Sequence, residues 1–166
     1  MLPAYIPNSA AALIKGNVPI DLKRTMSDGT RILGDGKTFR GFFGGVLCGI
    51  ACGCIQILAS QQYHLDFFPQ HTLLSVTLLS VGSLTGDVAA SFFKRRLGKE
   101  QGEQWPFVDQ YDFLFGALIL LVIFDWPWIY ENITITTVIA IFIMTPLLHI
   151  AVNKIGYKLG FKKVPW

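Results

Sequence analysis

The chain has 166 residues, of which 52% are hydrophobic and only 15% charged, with a formal net charge of +3 and a mean hydropathy of +0.47. That composition excludes an ordinary soluble domain, and apolar stretches long enough to cross a bilayer fill so much of the chain that no separate soluble domain fits beside them. The expectation is one all-α integral membrane domain over residues 1–166, with five transmembrane helices and no nucleic-acid partner.

The first predicted element, "LPAYIPNSAAALI" (2–14), is short and carries Pro3, Pro7 and Asn8, which kink a helix and leave polar groups in need of partners. It lacks a basic leader and a clear small-residue cleavage site, so it is read as a retained span. A polar loop follows at about 15–40 and ends in "ILGDGKTFR". This is not a Walker A loop, because Arg31 stands at its first glycine position and no sheet is available. The parts of a phosphate grip are nevertheless present. Gly34 and Gly36 permit tight backbone, Lys37 brings a point charge, Thr38 a hydroxyl, and a helix N-terminus follows at once. The alternative is a basic loop that only orients the protein or touches anionic lipid.

Segment two (41–59) carries Gly45, Gly49 and Gly53, a small-xxx-small face expected to pack inside the bundle and not across a dimer. Cys48, Cys52 and Cys54 lie in the same segment and read as small reduced residues, without disulfide or metal. Segment three (72–93) holds Asp87, whose carboxylate costs about 3 kcal/mol near the centre of a spanning helix. Ser91, Lys94 and Arg95 follow it at helical spacing, forming a polar stripe that descends to the cytoplasm. Its rival reading is an intramembrane salt bridge. A second polar loop (about 94–111) leads to Asp109 and Asp112, one turn apart where segment four (113–130) begins. There the helix dipole favours carboxylates, and ordinary capping is the alternative. Together with Asp87 they form a set suited to Mg²⁺, which binds through a few carboxylates plus substrate phosphates. Segment five covers 133–152.

All 14 Lys and Arg fall in the first loop with its flanks, in the second loop, or at the C-terminal end (Lys154, Lys158, Lys162, Lys163), and none in the connections 60–71 and 125–132. With the N-terminus outside, five crossings place both long loops, the C-terminus and the active site on the cytoplasmic side of the cell membrane. Trp126, Trp128 and Tyr130 then form an outer aromatic belt. His64, His71 and His149 are expected in core or interfacial roles.

Four pieces, "LPAYIPNSAA", "ILGDGKTFRG", "GDVAASFFKRRLG" and "PFVDQYDFLFGA", together resemble the archaeal CDP-archaeol synthase family over nearly the whole chain, and more distantly CDP-diacylglycerol synthase. The distant relative's order of Lys-Lys-Thr, Gly-Asp with Ser-x-x-Lys-Arg, and Asp-x-x-Asp is similar to Lys37-Thr38, Asp87 with Ser91, Lys94 and Arg95, and Asp109 with Asp112. Its longer N-terminal helices and its Gly-His-Gly-Gly run are absent, "WPFV" standing in place of the latter. The resemblance implies a Mg²⁺-dependent cytidylyltransferase. CTP and a geranylgeranylated glycerol-1-phosphate ether lipid, unsaturated archaetidic acid, would give the CDP-lipid and pyrophosphate.

It further implies Asp87, Lys94, Asp109 and Asp112 as the catalytic set, with the three aspartates on one or two Mg²⁺ ions. Gly36, Lys37, Thr38 and Arg40 would hold the triphosphate. Lys94 and Arg95, with Ser91 between them and Asp87, would cover the pyrophosphate or the lipid phosphate, and Leu33 and Gly34 would read the cytosine through their backbone. A transporter or channel is the rival class, given an intramembrane acid and Pro146 and His149 in segment five. A CDP-alcohol phosphotransferase is set aside, because "SDGTR" lacks the Ala-Arg that its motif needs.

Overall fold

The computed structural model describes residues 1–65 and 68–160, so Lys162 and Lys163 of the C-terminal basic group lie outside the described residues, as do Asp66 and Phe67 of the connection 60–71. Six helices follow in order: α1 (Leu2–Ile14), α2 (Phe39–Tyr63), α3 (Leu73–Arg96), α4 (Val108–Phe124), α5 (Trp126–Asn132) and α6 (Ile135–Lys158). The starts of the three long ones are written in threonine. Thr38, Thr72 and Thr134 each accept an N–H of the first turn, and Ser75 completes a capping box with Thr72. Among the described residues the only β pairing is two isolated bridges, both in the loop before α2.

Helices α2, α3 and α6 are long and apolar enough to cross a membrane, and α4 with α5 makes a fourth, bent candidate. The expected fourth segment therefore does not run straight to Tyr130. It breaks at Asp125, where Pro127 opens a new helix at 114° to α4. Helix α1 has 13 residues, about 20 Å at 1.5 Å per residue, which is short of a hydrocarbon core of about 30 Å. It covers about two thirds of that thickness and is wedged against α2 and α3, so length and composition support three or four crossings, fewer than the expected five.

Small residues set the packing, as lipid gives spanning helices no hydrophobic reason to associate. The Gly45–Gly49–Gly53 face is internal, as expected: a side chain at these positions would strike Pro7 O of α1, Ser80 Oγ of α3 and Val76 of α3 in turn. The closest crossing joins α3 to α4. A methyl at Gly86 would lie 2.2 Å from Asp112 O, and one at Gly116 would lie 2.3 Å from Gly82 O. The buried core of Leu79, Phe113, Leu114, Ala117 and Leu121 sits along this seam.

Two prolines orphan a carbonyl each, and both carbonyls are met from another helix. Pro7 has no N–H for Pro3 O, and Ser80 Oγ of α3 shares its proton between that oxygen at 3.1 Å and Val76 O of its own helix at 2.8 Å. Pro146 has none for Phe142 O, and Tyr111 Oη of α4 donates there at 2.8 Å. Outside the spans, His71 stacks on Trp128 with ring centroids 5.4 Å apart, and burial pushes its imidazole down to about 4.

Candidate active site

The loop between α1 and α2 is a folded hairpin whose two limbs double back on each other. Ile20 N donates to Lys37 O at 2.8 Å, Phe39 N to Val18 O at 3.2 Å, and Ile32 N to Arg24 O at 3.2 Å. Asp21 is its internal post. The Asp21 carboxylate, with no exposed side-chain surface, accepts the N–H groups of Leu33 (3.0 Å), Gly34 (3.0 Å) and Lys23 (3.1 Å) and an ion pair from Arg31 at 2.9 Å. Burial alone would raise its pKa, but the guanidinium and the three N–H groups outweigh that and hold it well below the usual carboxylate range. The same bonds offset left-handed backbone at Leu22 (φ 48°) and Lys23 (φ 63°), which costs about 1–2 kcal/mol per residue.

Gly34, at φ 109°, makes the turn that only glycine takes without strain, and the chain then delivers Lys37 to α3. Its Nζ lies 2.5 Å from Asp87 Oδ2, each side chain being 24% exposed. Thr38 Oγ1 is used as the α2 cap, accepting from Gly41 N and Gly16 N, both at 3.1 Å. Its own proton is still available to donate.

The last turns of α3 tie this hairpin to α4. Lys94 Nζ reaches Asp109 Oδ1 at 2.7 Å and Glu103 O at 2.9 Å, and Trp105 N also donates to Asp109 Oδ2 at 2.9 Å. Arg95 Nε donates to Leu33 O at 3.2 Å and its guanidinium also to Lys99 O. Arg96 donates to Arg31 O at 2.6 Å and to Asp28 at 2.8 Å. Asp112, set on α4 where Gly86 lets the backbones touch, interacts electrostatically with Asp87, Lys37 and Asp109. Three stretches distant in sequence thus make one site.

Not every expected residue points into it. Ser91 Oγ donates to Asp87 O of its own helix at 2.9 Å, Arg40 is exposed and lies over Gly16, and Leu33 O is already taken by Arg95. The salt-bridge alternative for Asp87 is realised, yet with the loop lysine, so it joins the motifs instead of explaining them away. Asp21 was not singled out in the sequence. Its neighbours give no sign that it turns inward, since Leu22 is 55% exposed.

Among the described residues no three His, Cys, Asp or Glu side chains are gathered into a cage for a metal ion. Asp87, paired with Lys37, and Asp112, close enough to feel the charge of both, are the two carboxylates available to a metal. That set fits Mg²⁺, which dehydrates reluctantly and is held by one or two carboxylates plus the phosphates it accompanies. It does not fit an ion caged by protein alone.

Two cavities meet here. A polar one of about 80 Å³ is lined by Asn8, Gly36, Lys37, Thr38 and Asp87. An apolar one of about 590 Å³ runs between α2 and α3 along Phe39, Phe43, Phe92 and Phe93. They share Ile20, Phe42 and Val88 as a common wall, and the larger reaches the surface where Phe43 is 62% and Phe93 56% exposed.

The family model described as CarS-like, CDP-archaeol synthase, matches residues 1–166. A CDP-archaeol synthase of Methanoculleus marisnigri is 57% identical and one of Methanospirillum hungatei 55% identical, each aligned over all of both chains. A solved structure described as "Structural insight into an intramembrane enzyme for archaeal membrane lipids biosynthesis" superposes with a TM-score of 0.77 at 36% identity, covering 92% of this chain and 89% of that one.

Proposed function

The chain belongs to the CDP-archaeol synthase family, and we infer from this and from its site that it transfers CMP from CTP to the phosphate of a membrane ether lipid, giving CDP-archaeol and pyrophosphate. The observation that carries the reading is the shared wall between a lysine–carboxylate pocket and an apolar groove open between α2 and α3. A water-soluble triphosphate and a lipid phosphate can meet only where such surfaces adjoin. The transporter alternative finds no support: the similar chains are CDP-archaeol synthases, and the ion pairs of the site join the first long loop to α3 and α3 to α4.

In the proposed reaction an oxygen of the lipid phosphate attacks the α-phosphorus of CTP, and the bond from that phosphorus to the bridging oxygen of the pyrophosphate breaks. The lipid phosphate is already ionised near pH 7, so the chain needs no strong base. Its task is positioning and neutralisation. Lys37 and Thr38, at the start of α2, hold the triphosphate with the Gly36 backbone, and Arg40, outside the cavity, adds positive charge at the approach to it. Lys94 and Arg95 face the departing pyrophosphate or the lipid phosphate. Asp87 and Asp112, with Asp109 once Lys94 turns to phosphate, would hold Mg²⁺, which when bound neutralises phosphate charge. Ser91 keeps the Asp87 turn in register, and the Leu33–Gly34 backbone borders the cytosine. The lipid chains lie along the phenylalanines of the groove. We place the site on the cytoplasmic side, where all 14 Lys and Arg would then reside.

The test is a label experiment on the purified chain in detergent with Mg²⁺ and unsaturated archaetidic acid. Label at the α-phosphorus of CTP should pass into the organic phase, and label at the γ-phosphorus should stay in water as pyrophosphate. Transfer of the γ label to lipid would mean phosphoryl transfer and reject the reading.

A further inference from the structure

Helix α1 supplies to the polar cavity one group that the functional reading leaves unused. Asn8 lines it together with Lys37 and Asp87, and Asn8 Oδ1 is buried without a hydrogen-bond partner. Leaving a buried carbonyl unpaired costs about 1–3 kcal/mol, and unpaired buried polar atoms in a native fold call for a reason. An apolar residue would avoid that cost, and α1 is otherwise built largely of Ala, Leu, Ile and Pro.

The chemistry of the cavity narrows what the reason can be. Its polar wall presents two acceptors, the amide oxygen of Asn8 and the carboxylate of Asp87, and one cation, Lys37, whose ammonium is bound to Asp87 at 2.5 Å. Thr38 also brings a hydroxyl to this cavity, but no donor lies within hydrogen-bonding distance of Asn8 Oδ1. About 80 Å³ is room for two or three waters at about 30 Å³ each. Two oxygens facing a space of that size form a seat for a hydrated hard cation, whose bound waters are strong donors.

We propose that Asn8 is a binding residue of this site, its side-chain oxygen accepting a hydrogen bond from a water carried by Mg²⁺ when the metal enters with the nucleotide. The proposal rests on the cytidylyltransferase reading and extends the site to helix α1. Helix α1 becomes part of the binding machinery, through a residue that holds the metal's hydration shell and not the metal itself.

The experiment melts the full-length chain in detergent, alone and with MgCl₂ and CTP, and measures CMP transfer against Mg²⁺ concentration for the parent, Asn8→Leu and Asn8→Asp. Asn8→Leu should melt at or above the parent temperature without ligand. Its Mg²⁺·CTP-induced rise should shrink, and its half-saturating Mg²⁺ should increase about 10- to 100-fold, the usual range for partners of metal-bound groups. Asn8→Asp, which adds a charge beside Asp87, should lower half-saturating Mg²⁺ severalfold. Folded variants with the parent's Mg²⁺ dependence and the parent's melting shift would overturn the proposal. Loss of folding in both variants would also overturn it, by making Asn8 a structural residue. A parent chain that shows neither shift nor transfer would instead remove the functional reading itself, and this inference with it.

Discussion

Helices α3 and α4 meet backbone against backbone, while α6 is joined to the bundle mainly by hydroxyls. At the first contact a side chain at Gly86 or Gly116 would overlap the opposing main chain. At the second, Tyr111 Oη donates to Phe142 O and Tyr5 Oη shares a 2.6 Å bond with Thr145 Oγ1; of α6 only Ile141, Thr145 and Asn153 are buried. The difference marks where the chemistry is. Every charged group of the proposed site sits on the hairpin, α2, α3 or α4, with Asn8 of α1 beside them, and carboxylates on separate helices converge because their backbones do. Helix α6 carries none of them and offers its apolar sides to lipid.

Breaking the close contact should have the largest effect. Gly86→Val puts atoms where Asp112 O lies, so α3 and α4 must separate. CMP transfer should vanish, and the melting temperature should fall by an amount matching the 1–3 kcal/mol typical of overpacking. Retained turnover would show that the crossing does not set the site.

Within an intact seam, Asp112→Asn or Asp87→Asn should fold normally and lower kcat/KM about 10²- to 10³-fold, the scale of a lost electrostatic stabiliser. Both variants near parental turnover would reject the carboxylate assignment. Lys37→Met should come next, with kcat/KM for CTP about tenfold or more lower, in line with losing one charge-assisted contact worth about 1.5–3 kcal/mol.

Asp21 sharpens the comparison through pH. Its folded pKa is depressed, so its stabilising effect is complete above the ordinary Asp value of about 3.9 and is lost as pH falls through the lower folded value. Amide exchange of Leu33 and Gly34 should stay slow down to about pH 4 and accelerate below it. Asp21→Asn should show fast exchange at every pH. The smallest effect belongs to α6. Tyr111→Phe should cost about 1 kcal/mol, the net worth of one hydrogen bond, and leave turnover unchanged; a drop in kcat there would mean that α6 does reach the site.

Much of this was legible in the chain itself. Charge placement and the Gly-Lys-Thr, Gly-Asp and Asp-x-x-Asp motifs were local signals, and the structure joins those motifs through Lys37–Asp87 and Lys94–Asp109. What was not legible depends on three dimensions. Hydropathy could not tell a short α1 from a span, nor see that Pro127 turns the end of segment four by 114°. Asp21 looks like any loop acid until the two hairpin limbs close on it. Ser91 lies on the right face of α3, yet its hydroxyl finds its own helix's carbonyl first, a competition that spacing cannot resolve.

The two proline-orphaned carbonyls bear on how the protein is put together. A span entering the bilayer with an unmet oxygen is chemically unfinished, and greasy surfaces alone would let it settle beside any neighbour. Because Pro3 O is met by Ser80 and Phe142 O by Tyr111, each proline ties its helix to one particular neighbour. Proline here serves as an address for a partner.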